Sequence, residues 1–156
     1  MRPLAVWLLL IEGMGLLVLP IAFFIFRPLY DRGYLLSKVL GLLLVPFIAW
    51  ILVSLRWASF SQSTIWFAFI LVGLVSLGIL LKTRGELLAF VRQRWRVLLI
   101  GEILFLMAFL AFYLIRLANP DLWHFRFGGE KPMDFAYLNA VLKSTYMPPY
   151  DPWFSG

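Results

Sequence analysis

Three charged side chains, Glu12, Lys38 and Glu102, stand inside otherwise apolar runs of this chain. A charge at mid-bilayer costs about 2.5 to 3.5 kcal/mol on insertion scales, so such residues pair, neutralise or face protein. Lys38 and Glu102 each lie about one helical turn inside the same end of their runs, which predicts a similar depth and allows a pair. The alternative is that Lys38 snorkels to the head groups while Glu102 sits at the interface. Glu12 lies deeper and has to be neutralised or bonded to a neighbouring helix. A proton or ion pathway needs more than one deep acid, so transport through this chain alone is not the expectation. The sequence holds no cysteine, which removes disulfides, thiol catalysis and thiolate metal sites. Its lone histidine, His124, stands beside Trp123 as an interfacial residue and excludes a histidine-cluster metal site within the chain.

The elements that must position these groups are spanning helices. The chain is 63% hydrophobic and only 14% charged, with mean hydropathy +0.90. A soluble domain needs nearer a quarter of its residues charged to wet its surface, so lipid is the solvent here. Roughly 20 apolar residues cross the hydrocarbon core as a helix. Four stretches qualify: Leu4 to Phe26, Tyr34 to Leu55, Ile65 to Leu81 and Val97 to Ile115. Helix is required because lipid offers backbone amides no partner. Pro20 and Pro46 inside two of these stretches predict kinks. The first stretch is too long for a signal-peptide core and shows no small-residue cleavage pattern, so it reads as a retained span.

The net charge of +6 is distributed between the apolar runs, not on a soluble patch, which points to anionic head groups and away from nucleic acid. The connection after the first span carries Arg27 and Arg32, and that after the third carries Lys82, Arg84, Arg92, Arg94 and Arg96. The opposite face offers Arg2 and Arg56 before the tail. In the tail the bases Arg116, Arg126, Lys131 and Lys143 are balanced by Asp121, Glu130, Asp134 and Asp151. The positive-inside rule therefore predicts a multi-pass protein of the cell membrane, with the loops near 27–33 and 82–96 cytoplasmic and both termini outside. Trp57 and Trp66 bracket the short outer loop, Trp95 marks the inner boundary, and Trp123 and Trp153 follow the last span, as interfacial belts do. Residues 86–96 place Leu87, Phe90 and Val91 at helical spacing beside arginines. That segment either lies along the membrane surface or extends the fourth helix into the cytoplasm.

The expected fold is all-α integral membrane: four transmembrane helices in residues 1–116, then an extracytoplasmic aromatic and proline-rich tail in 117–156. Asn119-Pro120-Asp121 stops the fourth helix and Gly128-Gly129 makes a turn. Pro132 opens a short amphipathic helix over about 132–145, with Phe135, Leu138, Val141 and Leu142 in one stripe. Met147 to Phe154 holds three prolines and reads as an extended aromatic segment at the outer surface.

Asp31-Arg32-Gly33-Tyr34 with Ser37-Lys38 and the leucine-rich run after Gly41 resembles the start of the YYY membrane-protein family, a domain of unknown function. A more specific likeness lies in the tail, in Gly128-Gly129-Glu130-Lys131-Pro132-Met133-Asp134, Tyr137-Leu138-Asn139-Ala140 and Pro148-Pro149-Tyr150-Asp151-Pro152-Trp153-Phe154-Ser155-Gly156. The family in turn is similar to C-type glycosyltransferases, which take sugars from lipid-phosphate donors on the outer membrane face. That resemblance implies Asp134 as the first catalytic candidate, Glu130 as the second and Asp151 as a third. The role implied is to deprotonate an acceptor hydroxyl or to hold a divalent metal, the only cofactor suggested. The plain alternatives are helix-dipole stabilisation for Asp134 and a surface pair with Lys131 or Arg126 for Glu130. Family members continue into a tyrosine run and further spans, and a lipid-linked sugar needs a cavity walled by more helices than these. The resemblance therefore implies the N-terminal portion of a longer protein. The other expectation is a non-catalytic structural subunit, packed against other transmembrane helices or subunits of a larger membrane complex such as an energy-transducing one.

Overall fold

The computed structural model describes residues 2–118 and 131–154. The elements are α1 (Arg2–Ile25), α2 (Tyr34–Ser54), α3 (Gln62–Ala118) and α4 (Lys131–Lys143), and no strand occurs among the described residues. The first three are long and apolar enough to cross a membrane. At 1.5 Å per residue, the 24 residues of α1 and the 21 of α2 span about 36 and 32 Å, matched to a hydrocarbon core of about 30 Å. Pro20 and Pro46 lie inside α1 and α2 without ending them.

The expectation of four separate spanning helices has to be revised. The third and fourth apolar runs and the basic segment between them form one unbroken helix of 57 residues. The reason is local. Residues 82–96 contain no proline, and Glu86, Leu87, Leu88, Ala89, Gln93 and four arginines are good helix formers, so nothing unwinds the chain where the hydropathy dips.

α3 is nevertheless not straight. Ser76 Oγ donates to the Leu17 carbonyl, while Glu102 reaches Lys38 Nζ, which is itself bonded to Glu12. Leu17 and Glu12 are five residues apart on α1, about 8 Å. A straight helix would separate positions 76 and 102 by about 39 Å, more than the intervening side chains reach. The helix must therefore bend back between them. Within that interval Thr83 Oγ1 donates to the Ile79 carbonyl at 2.9 Å, a back-bond that bends helices, and Gly85 follows two residues later.

The core is built from small and β-branched residues: Val18 and Ile21 of α1, Val45 and Ala49 of α2, and Ala68 and Val72 of α3. Small residues let helix backbones approach in lipid, where dispersion replaces the hydrophobic drive. The closest approach is at Gly41, where a Cβ would fall 2.5 Å from the Met14 carbonyl oxygen. At the end of the bundle carrying the α2–α3 connection, the tail docks. Phe60 N donates to the Thr145 carbonyl at 2.7 Å, the Arg56 guanidinium lies 5.7 Å from the Tyr146 ring, and Met147 and Ala140 are buried. The α1–α2 connection and residues 82–96 form the other end, where Glu86 lies 3.8 Å from Arg27 and 3.9 Å from Arg32.

Candidate functional site

The contact of α1 with α2 at Gly15 and Gly41 brings Lys38 against α1, and a Cβ on Gly15 would meet the Lys38 side chain at 2.9 Å. Lys38 is only 4% exposed. Its Nζ bonds Glu12 Oε2 and lies 3.0 Å from both carboxylate oxygens of Glu102. The Tyr34 hydroxyl donates to Glu102 Oε2 at 2.8 Å, and the Phe105 ring centroid is 4.2 Å from the ammonium. Helical spacing explains the set: Tyr34 and Lys38 are four apart on one face of α2, and Glu102 and Phe105 three apart on α3. The three residues expected singly or as one pair are thus one cluster, joining α1, α2 and the second half of α3. With both carboxyls ionised, two negative charges face one positive charge. Glu12 Oε1 is buried and has no hydrogen-bond partner. Such a cluster clamps helices together. Sequence reasoning missed Tyr34 and Phe105 as members, although the spacing of Tyr34 to Lys38 was available.

The tail acids stand apart from this cluster. Asp134 is exposed in the first turn of α4, where the helix dipole favours a carboxylate. Asp151 accepts hydrogen bonds from the Tyr137 hydroxyl at 3.0 Å and the Trp153 amide at 2.9 Å, so it pins the proline-rich segment to α4. The bond to Asp151, with smaller contributions from burial and from its charge, raises the Tyr137 phenol above its usual range. Glu130 and His124 lie outside the described residues. Among the described residues no three acids or histidines converge as metal ligands.

Two apolar clefts separate the cluster from the tail. One, of about 730 Å³, runs between α1, α2 and the start of α3 past Leu10, Gly13, Val45 and Trp66. The other, of about 380 Å³, lies under the tail between Trp50, Phe60, Val141, Met147 and Pro149. They share Val45, Pro46 and Ile65.

A family model of uncharacterized membrane proteins, DUF2298, matches residues 44–156, well over half of the chain. The chain belongs to that family. The match takes in both α3 and the docked tail, so the elements that enclose the second cleft are DUF2298 features. No curated protein matches the chain, and no solved structure does. For a DUF2298 protein the plain statement is a multi-pass membrane protein with several apolar helices, in contact with the lipid bilayer.

Proposed function

We propose that this chain is the lipid-embedded portion of a glycosyltransferase-like membrane protein, holding the apolar chain of a lipid-linked sugar beside the docked tail. The observation that carries this reading is the pair of apolar clefts meeting at Val45, Pro46 and Ile65 and ending beneath α4. A polyisoprenoid tail needs an apolar, elongated groove open to lipid, and its phosphate needs the interface, where α4 presents Asp134. In this arrangement Asp134 acts as general base toward an acceptor hydroxyl, with Glu130 as second candidate. The bent α3 crosses the membrane twice, giving four crossings in all. The end bearing Arg27, Arg32 and residues 82–96 faces the cytoplasm, and the tail and termini face outside.

A second reading is favoured by one observation. The returning half of α3 leaves Ile103, Leu104, Met107, Leu110, Phe112 and Leu114 about half exposed or more, a broad face able to pack against another subunit without catalysis.

Photo-crosslinking in proteoliposomes separates the two. A polyprenyl-phosphate sugar carrying a diazirine in its isoprenoid chain should label Leu10, Trp66 or Trp50 above the level reached by a diazirine phosphatidylcholine. Asp134→Asn should keep that labelling and lose sugar transfer. Equal labelling by both probes rejects the groove, and labelling confined to the returning half of α3 supports the subunit.

A further inference from the structure

The basic end of the bundle is concave. The connection between α1 and α2 folds through successive turns, with Leu29 N donating to the Phe26 carbonyl and Arg32 N to the Leu29 carbonyl, each at 3.0 Å. Asp31 then caps α2, its carboxylate accepting from the Gly33 and Leu35 amides at 3.2 Å. Arg32 and Gly33 both take left-handed backbone, at φ 48 and φ 76. Glycine adopts that conformation freely, whereas Arg32 is held there by the turn and the cap around it. The result carries the Arg32 guanidinium over the rings of Phe23 (4.7 Å) and Phe90 (5.6 Å), while Arg94 lies 4.1 Å over Tyr30.

Tyr30, Arg32, Glu86, Phe90, Gln93 and Arg94 line a cleft of about 450 Å³ at this end. Its only lining acid, Glu86, is exposed and stands 3.9 Å from Arg32, beyond hydrogen-bond range, so it does not use up the guanidinium donors. Residues 27–33 carry two bases and 82–96 carry five, seven against the two acids Asp31 and Glu86, and Asp31 is committed to its cap. A guanidinium stacked on an aromatic ring keeps its in-plane N–H groups for a phosphate. Leu29, which lines the cleft, and Val91 and Trp95, the chain neighbours of Phe90 and Arg94, are exposed apolar groups at the rim of this end.

We propose that this cleft binds the phosphate headgroup of an anionic membrane phospholipid, with Arg32 and Arg94 as its two ligands. Charge complementarity selects a phosphate. The apolar rim, at the end of helices that face lipid, selects the lipid-borne one over a free anion. This site is independent of the glycosyltransferase reading, which concerns the other end of the molecule.

Native mass spectrometry of protein released from phosphatidylcholine nanodiscs containing phosphatidylglycerol tests the proposal. The wild-type chain should retain phosphatidylglycerol in preference to phosphatidylcholine. Retention should fall about fivefold for Arg94→Gln and about twenty-five-fold for Arg32→Gln with Arg94→Gln, on the usual worth of one basic residue at a membrane surface. Lys143→Gln, at the far end in α4, should change nothing. Should the double variant lose its helical far-ultraviolet spectrum, Arg94→Gln alone and Arg94→Lys carry the test. In the lysine variant the charge remains and the fork is lost, so retention should be intermediate. Equal retention of the two lipids by the wild type, or unchanged retention in Arg94→Gln, overturns the site. Displacement of the lipid by millimolar inorganic phosphate overturns its assignment to a lipid.

Discussion

Replacing Lys38 by methionine should unfold this membrane protein far more readily than the loss of its hydrogen bonds alone explains. The Lys38 side chain is 5% exposed, and its ammonium is shared between Glu12 and both oxygens of Glu102. A hydrogen bond between membrane helices averages about 0.6 kcal/mol and reaches about 1.7. If bonding were the whole effect, Lys38→Met would therefore cost about 1 to 2 kcal/mol. The side chains of Glu12 and Glu102, however, are only 29% and 23% exposed. Removing the cation that joins them leaves the carboxyls unpaired in a medium of low dielectric constant. Breaking a buried pair in that way costs about 3 to 5 kcal/mol, roughly two to four powers of ten in the folding equilibrium. Reversible unfolding in mixed micelles of rising dodecyl sulfate, followed by far-ultraviolet circular dichroism, measures the difference. The combination of Lys38→Met with Glu12→Gln and Glu102→Gln should recover most of the loss, because neutral amides of similar volume leave no buried ionisable group without its partner. A single variant within about 1 kcal/mol of wild type, or a triple variant no better than the single one, would refute the reasoning.

Three further outcomes follow from the same geometry. A Cβ on Gly101 would lie 3.4 Å from Leu35 Cγ, so Leu35→Cys with Gly101→Cys should form a disulfide under mild oxidation in this cysteine-free chain; non-reducing peptide mapping that finds no link would argue against the bend in α3. Gly41→Ala should destabilise by about 1 to 3 kcal/mol because the new methyl strikes the Met14 backbone, whereas Gly13→Ala, with open space, should be neutral or gain up to about 1 kcal/mol in the same titration. The Tyr137 phenol is raised by Asp151, so their bond is complete below the ordinary value of about 10 and is lost as pH rises through the raised one. In ultraviolet difference titration, Asp151→Asn should bring one tyrosine transition down toward 10, an effect absent when Tyr137→Phe is already in place.

The apolar runs and the basic segments between them were legible in the sequence because hydropathy is local and additive, whereas the stop expected at Asn119-Pro120-Asp121 lies outside the described residues. A single residue changes them only by its own transfer free energy. The short tail helix was legible for the same reason, since Pro132 and the stripe from Phe135 to Leu142 need no distant partner. The continuity of α3 was not. A dip in hydropathy at Lys82 to Arg96 resembles a loop, yet those residues propagate a helix well, and only the anchors at Ser76 and Glu102 reveal that it folds back.

The amino-acid sequence by itself determined that this chain lives in lipid and which of its segments are basic. It also showed that these 156 residues hold no cysteine and one histidine. Tertiary structure alone decided that Glu12, Lys38 and Glu102 share one site, because Lys38 and Glu102 are 64 residues apart and their meeting depends on helix rotation and the curvature of α3. Neither is written in a window of neighbouring residues. Close packing at Gly15 and Gly41 sets the first, and the charges in low dielectric hold the second.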